Sequence, residues 1–233
     1  MIRAVLFDKD GTLLDYARTW SPINREVALL AAAGDPRLAD TLLEIGGQCP
    51  ATGAVRPGSP LAAGTHDEIA DVFAAHLGAA TPPALAAAIA DTFAAGGARH
   101  AVLVDDAIAT LTRLAAAGLI LGVASNDTAL GVEASLGRHS DILARFVFLA
   151  GCDSGYGAKP GPGMALAFAS AVGLAPGAIA VVGDAIHDLE MGQRAGLGLK
   201  IGVTGGTSAA ADLAPFADHV IDRLGDLVEL LAQ

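Results

Sequence analysis

Hydrophobic and polar positions along the chain fall into two rhythms. Short apolar runs ending in charge or glycine recur at 2–7, 119–124, 145–150, 178–183, 198–203 and 217–221. Runs of that length bounded by turn residues predict buried strands. Between them lie segments with apolar residues at helical spacing, at 105–117, 161–173, 186–195 and 222–232. The first carries Ile108, Leu111 and Leu114 on one face, Asp105-Asp106 in its first turn and Gly118 as a stop. Strands alternating with helices predict an α/β fold whose doubly wound parallel sheet is covered on both faces.

The segment from 16 to 100 breaks that alternation. It shows helical patterns at 21–33, 36–46, 66–77 and 82–95, with a Gly/Pro-rich loop from Gly46 to Gly64. It contains no strand pattern and no internal repeat. It therefore reads as an all-helical insertion between the first strand and the rest of the sheet.

Composition narrows the picture. The 233 residues are 53% hydrophobic and 17% charged, which excludes an intrinsically disordered chain. A chain of this length buries a core without disulfides or a structural metal. The formal net charge is −11, so nucleic acid and membrane surfaces are poor partners. An anionic substrate would need a locally positive pocket. Cys49 and Cys152 are far apart and form no CxxC spacing, and nothing demands an oxidising compartment. The first apolar run is too short for a signal peptide. The longest uncharged stretch, Pro160 to Gly183, is broken by prolines and glycines and reads as helix, turn and strand. A soluble cytoplasmic protein is expected.

Candidate chemistry sits at strand ends, where open parallel sheets bind ligands. Asp8-Lys9-Asp10-Gly11-Thr12-Leu13 follows the first strand. Two carboxylates two residues apart can converge once the loop bends at Gly11, one attacking as a nucleophile and the other handling a proton. The plain alternative is a polar loop with a helix cap. Ser125-Asn126-Asp127 ends the strand 119–124, where a hydroxyl and a backbone amide suit a phosphate oxygen. Ser and Asn are also ordinary caps. Lys159-Pro160 reads as the start of a helix, with Pro160 at its first position. A lysine there opposes the helix dipole unless it faces an anion. Gly183-Asp184-Ala185-Ile186-His187-Asp188 places two carboxylates on one side of a turn entering a helix, hard oxygen ligands that favour Mg²⁺. The alternative there is a cap with a second acidic residue. Together these residues meet the needs of phosphoryl transfer, which is mostly positioning and charge stabilisation.

On these four motifs the chain resembles the haloacid dehalogenase superfamily, in its branch of phosphoglycolate phosphatase-like enzymes with a small helical cap. The resemblance covers a Rossmann-like core at 1–15 and 101–233, where the motifs occur in the family's order. For the cap, 16–100, it is one of size, position and helical character. It implies that Asp8 is a nucleophile forming an aspartyl-phosphate, and that Asp10 protonates the leaving oxygen and then activates water. Mg²⁺ would be held by the Asp8 carboxylate, the Asp10 backbone carbonyl and Asp184, with Asp188 in support. Ser125 and Asn126 would bind the phosphate, and Lys159 would neutralise it. The presence of Asp10, Asp184 and Asp188 favours phosphate over the namesake halide displacement. One departure is Asp105-Asp106, where relatives often carry a Pro-Gly turn.

The implied substrate is a small phosphorylated metabolite such as phosphoglycolate, handled by a monomer or homodimer. A phosphomutase on the same fold and a non-catalytic binding protein are the competing readings. Arg18, Trp20, Arg25 and Arg56 could reach the site from the cap, or serve only packing and solvation. His187 reads as a helix residue without a chemical role. His66, His76, His100, His139 and His219 have no zinc-like spacing.

Overall fold

The computed structural model describes residues 1–78 and 82–232, so 79–81 of the expected insertion lie outside the described residues. Strand β1 (Ala4–Phe7) is followed by five helices: α1 (Tyr16–Ala31), α2 (Pro36–Gly46), α3 (Pro60–Ala63), α4 (His66–His76) and α5 (Pro83–His100). The alternation then resumes with α6 (Ala107–Ala116), β2 (Ile120–Ala124), α7 (Ala129–Gly137), α8 (Ser140–Leu143) and β3 (Phe146–Ala150). It continues through α9 (Gly163–Val172), β4 (Ile179–Gly183), α10 (Ile186–Ala195), β5 (Leu199–Val203), α11 (Ala210–Leu213), β6 (His219–Ile221) and α12 (Leu227–Leu231).

The six strands form one parallel sheet in the order β3-β2-β1-β4-β5-β6. Successive side chains of a strand face opposite sides. Val5 and Phe7 enter one apolar layer with Leu111, Val123, Val132 and Val182. Ala4 and Leu6 enter the other with Met164, Phe168, Val181 and Met191. The α/β reading holds, and both faces of the sheet are covered.

The helices between β1 and β2 have an apolar cluster of their own, centred on Trp20, Ile23, Leu42, Phe73 and Phe93. Their ends follow capping chemistry. Asp15 accepts from the Arg18 amide and opens α1 five residues before the apolar pattern begins. Asp35 caps α2, and Thr65 with Glu68 forms a capping box on α4. Helix α5 runs to His100, beyond the expected 95, and its glycines lie close to neighbouring chain: a Cβ on Gly96 would meet Ile23 at 2.7 Å.

Two sequence expectations need correction. Helices α7 and α8 lie in a stretch where the pattern predicts no element. Residues 129–137 carry Ala, Leu, Gly and Val all round, so no polar face marks the period. The second concerns Lys159 and Pro160, which do not begin a helix. Helix α9 starts at Gly163, and 159–162 form a turn before it. A Cβ on Gly163 would lie 1.9 Å from the Tyr156 carbonyl, so the first residue of α9 packs against the preceding loop as only glycine can.

Candidate active site

Strand β1 lies between β2 and β4, with Phe7 in register with Val123 and Val182. That register puts the next residue, Asp8, level with Ala124 and Gly183. Ser125 and Asp184 follow one step later. All three leave the carboxyl edge of the sheet at the point where the strand order reverses, which is where such sheets bind ligands.

The loop after β1 is wound tightly, with the Leu13 and Leu14 amides both donating to the Lys9 carbonyl. Gly11 has φ +84°, and a Cβ there would lie 2.5 Å from Asp184 Oδ2. Only glycine meets both demands. At Gly183 a Cβ would strike the Asp188 side chain at 2.4 Å. The two glycines let the carboxylate-bearing loops close on each other.

Asp8, Asp184 and Asp188 are buried, with one oxygen from each within 4.8 Å of the others. Lys159 Nζ donates to Asp8 Oδ1 at 2.6 Å and to Asp188 Oδ1 at 2.6 Å. Asp188 Oδ2 accepts from the Ala185 amide, and Asp184 Oδ2 accepts from the Thr207 amide and hydroxyl. Burial would lower the Lys159 pKa, but Asp188 and Asp8 outweigh it and hold the ammonium charged. Burial pushes the Asp184 carboxyl up to about 7, reinforced by the Asp188 charge. Burial also raises Asp8, against the pull of Lys159. One ammonium among three buried carboxylates leaves negative charge uncompensated, and an all-oxygen donor set of this kind fits a hard divalent cation.

A second cluster adjoins the first. Lys9 is fully buried. Its Nζ donates to Asp127 Oδ2 at 2.6 Å and to Ser135 Oγ at 3.2 Å, and lies 3.1 Å from Asp10 Oδ2. The ammonium also sits 4.8 Å from the centre of the Trp20 ring. Trp20 Nε1 donates to Asp10 Oδ1 at 2.5 Å. His66 Nε2 lies 3.2 Å from Asp127 Oδ1. Burial raises the Asp10 pKa, with Lys9 opposing it, whereas Lys9 and His66 overcome burial to hold Asp127 well below the usual carboxylate range.

These groups border a cavity of about 70 Å³, several times the space one water needs. Asp8, Asp10, Ser125, Asn126 and Asp184 all line it. Lys159 and Asp188 stand behind Asp8, with no exposed side-chain surface. The Asn126 side chain is already engaged. It accepts from the Lys159 amide at 2.8 Å and donates to the Lys159 carbonyl at 3.2 Å and the Ala63 carbonyl at 3.1 Å. It therefore positions Lys159 and ties the core to α3.

Of the four cap candidates, Trp20 lines the cavity and the three arginines do not. Arg18 lies 3.9 Å from both Asp15 and Asp105, Arg25 pairs with Asp40, and Arg56 borders a separate hollow. Asp106 accepts from the Gly225 amide at 2.8 Å, a structural tie away from the cavity. His187 lines the cavity, 3.6 Å from Asp188, and burial lowers its pKa. Lys9, Asp127 and His66 received no role from the sequence. The first two stood inside quoted motifs, and only a buried contact distinguishes them from loop polar residues. For His66 the sequence holds no signal.

A family model described as haloacid dehalogenase-like hydrolase matches residues 2–196. The chain is 27% identical over 195 residues to the N-acetylmuramic acid 6-phosphate phosphatase of Pseudomonas putida, a match covering 84% of this chain and 80% of that one. It superposes on CbbY from Rhodobacter sphaeroides in complex with phosphate at TM-score 0.71 and 22% identity, covering 97% and 96% of the two chains. It also superposes on a predicted phosphoglycolate phosphatase from Haemophilus somnus at TM-score 0.71 and 20% identity, over 99% and 98%. At these identities the structural matches show the fold. With 195 of its 233 residues inside the family match, this chain belongs to the haloacid dehalogenase-like hydrolases.

Proposed function

We propose that the protein is a Mg²⁺-dependent phosphatase of a small phosphorylated metabolite, acting through an aspartyl-phosphate on Asp8. One observation carries this reading: Asp8 is buried, touched by Lys159 and accompanied by Asp184 and Asp188, while Asp10 is held separately over the same cavity. The similarity to an N-acetylmuramic acid 6-phosphate phosphatase and to a phosphate-bound CbbY supports it.

In this reading an Asp8 oxygen attacks phosphorus and the bond to the leaving oxygen breaks. Asp10 gives that oxygen its proton. Burial raises the Asp10 carboxyl, so it can hold a proton closer to neutral pH than a free aspartate. A water then attacks the phosphoryl group, Asp10 takes its proton, and Asp8 is freed as phosphate leaves. Lys159 offsets the charge that gathers on Asp8 and the phosphoryl oxygens. Ser125 and the amides after β2 would hold the phosphate. Asp8, Asp184 and Asp188, with the Asp10 carbonyl, would hold Mg²⁺. A bound Mg²⁺ would supply positive charge against the repulsion between carboxylate and phosphate.

The helical segment 16–100 acts as a cap over a core formed by 1–15 and 101–233. Trp20 and His66 reach from it to the acid–base half of the site. Among the described residues no helix is long and apolar enough to cross a membrane. With two unpaired thiols, this fits an enzyme of the cytoplasm. The test is phosphate release from a panel of phosphomonoesters, with a chelator control and Asp8→Asn alongside. Release that needs metal and stops with Asp8→Asn is expected. Equal rates for the variant and the parent overturn the assignment.

A further inference from the structure

The cavity has a lopsided charge inventory. Its lining carries four carboxylates, Asp8, Asp10, Asp127 and Asp184, and no Lys or Arg. All 14 Lys and Arg of the chain are among the described residues, because Ala79, Ala80, Thr81 and Gln233 carry no charge. The two buried lysines are each held between carboxylates. The Nε2 edge of His66 faces Asp127, and His187 Nε2 lies 3.6 Å from Asp188 Oδ1. Lys159 and a metal at the aspartates would serve the phosphoryl group. Nothing remains to pair with a second anion on the substrate.

One side of the lining is a wall of rings. Phe93 from α5 stacks on His66 from α4 and meets Trp20 from α1 at a tilt of 57°. Trp20 and Phe93 centres are 5.7 Å apart, and His66 and Phe93 are 4.5 Å apart with planes at 8°. Such a wall suits the C–H face of a ring or chain. His66 Nδ1 is buried with no hydrogen-bond partner among the described residues. A hydroxyl could satisfy it, and a buried polar atom without a partner is costly. The adjoining groove, which shares Ala63 and His187 with the cavity, also lacks Lys and Arg and carries Glu190 and Asp212. Glu190 there pairs with Arg194, so a substrate extending outward meets the Asp212 carboxylate and no free cation among the described residues of the groove's lining.

We propose that the departing part of the substrate is an uncharged, hydroxyl-bearing alcohol of sugar character that lies against Trp20, Phe93 and His66, and that esters with a second anionic group are rejected. The inference rests on the phosphatase reading and narrows it, setting aside phosphoglycolate and the bisphosphates a mutase requires.

Two matched pairs test it on the wild-type protein with Mg²⁺ present. The first is 2-hydroxyethyl phosphate against 2-phosphoglycolate, and the second is fructose 6-phosphate against fructose 1,6-bisphosphate. The members of the first pair are nearly equal in size and differ in one charge. The neutral-alcohol member of each pair should have the higher kcat/KM, by about 100-fold, because a buried charge without a partner is penalised on this scale. Equal values, or a preference for the acidic members, with turnover still abolished by Asp8→Asn, overturn the charge inference and leave the phosphatase reading standing. No Asp8-dependent turnover of any of the four compounds overturns the phosphatase reading and this inference with it.

Discussion

The site holds two buried lysines, and their surroundings differ in origin. Lys159 meets Asp8, from the loop after β1, and Asp188, in the first turn of α10, at the carboxyl edge of the sheet. Lys9 meets Asp10 and Asp127 from the same edge, but Trp20 and His66 from the inserted helices complete its cluster. The electrostatic device is the same: a cation outweighing its desolvation by facing two carboxylates. The difference lies in assembly. The half around Asp8 draws its charged groups from the core alone, while the half around Asp10 is complete only with the inserted helices in place.

Substitutions can break or sharpen that contrast. Lys159→Met should do most damage, leaving Asp8 and Asp188 unpaired. We expect phosphate release to fall by at least about 1000-fold and stability by about 3 kcal/mol in a denaturant melt. Retention of more than a tenth of the activity would remove Lys159 from the mechanism. Lys9→Met should cost about 100-fold. Its signature is selective, because a nitrophenolate leaves without Asp10's proton and an alkyl alcohol does not. Equal losses on nitrophenyl and alkyl phosphates would place Lys9 in the nucleophile's half.

Metal withdrawal probes the Lys159 half through pH. The Asp184 carboxyl rises from 3.8 to about 7 on folding, because of burial first and Asp188 next. Between those values the native state binds more protons than the unfolded chain, so this group's stabilising contribution is lost as pH rises through 7. Mg²⁺ requires the ionised carboxylate, so its stabilisation should be small near about pH 5 and larger near about pH 8. It should reach about 2.7 kcal/mol at a hundredfold excess over Kd. Thermal melts with Mg²⁺ or chelator check this, and a pH-independent increment counts against Asp184 as a ligand. Trp20→Phe keeps the ring and removes one hydrogen bond to Asp10. About tenfold lower kcat, greater for alkyl than for nitrophenyl esters, is expected. Ala63→Arg, at the junction of cavity and groove, should have the smallest effect. A few-fold gain of 2-phosphoglycolate over 2-hydroxyethyl phosphate, read as the ratio of kcat/KM, would sharpen the charge argument.

The same contrast explains what was legible in the sequence. Asp8, Ser125 and Asp184 are the first polar residues after apolar runs, so a local pattern located them. The strands were found within a residue or two for the same reason. Lys159 stands out as a lysine at an expected helix start, where it opposes the dipole unless it faces an anion, but α9 begins only at Gly163 and the anions it faces are Asp8 and Asp188. The Lys9 cluster was not legible. Lys9 and Asp127 are 118 residues apart, and their pairing follows from packing rather than from spacing. Helix α7 has one buried face, Gly131, Val132, Ser135 and Leu136, but its exposed side carries Leu130 and Gly137 beside Glu133, so polarity does not mark the period.

The Asn126 side chain gives the contact between core and inserted helices a measurable strength. Its one hydrogen bond to the Ala63 carbonyl joins the loop holding Lys159 to the inserted helices. A net hydrogen bond contributes about 1 kcal/mol, a factor of about five in a population. Any excursion that lifts α3 away would give up that factor. It is small enough for thermal motion to break and remake, so this tie positions Lys159 without locking the inserted helices to the core.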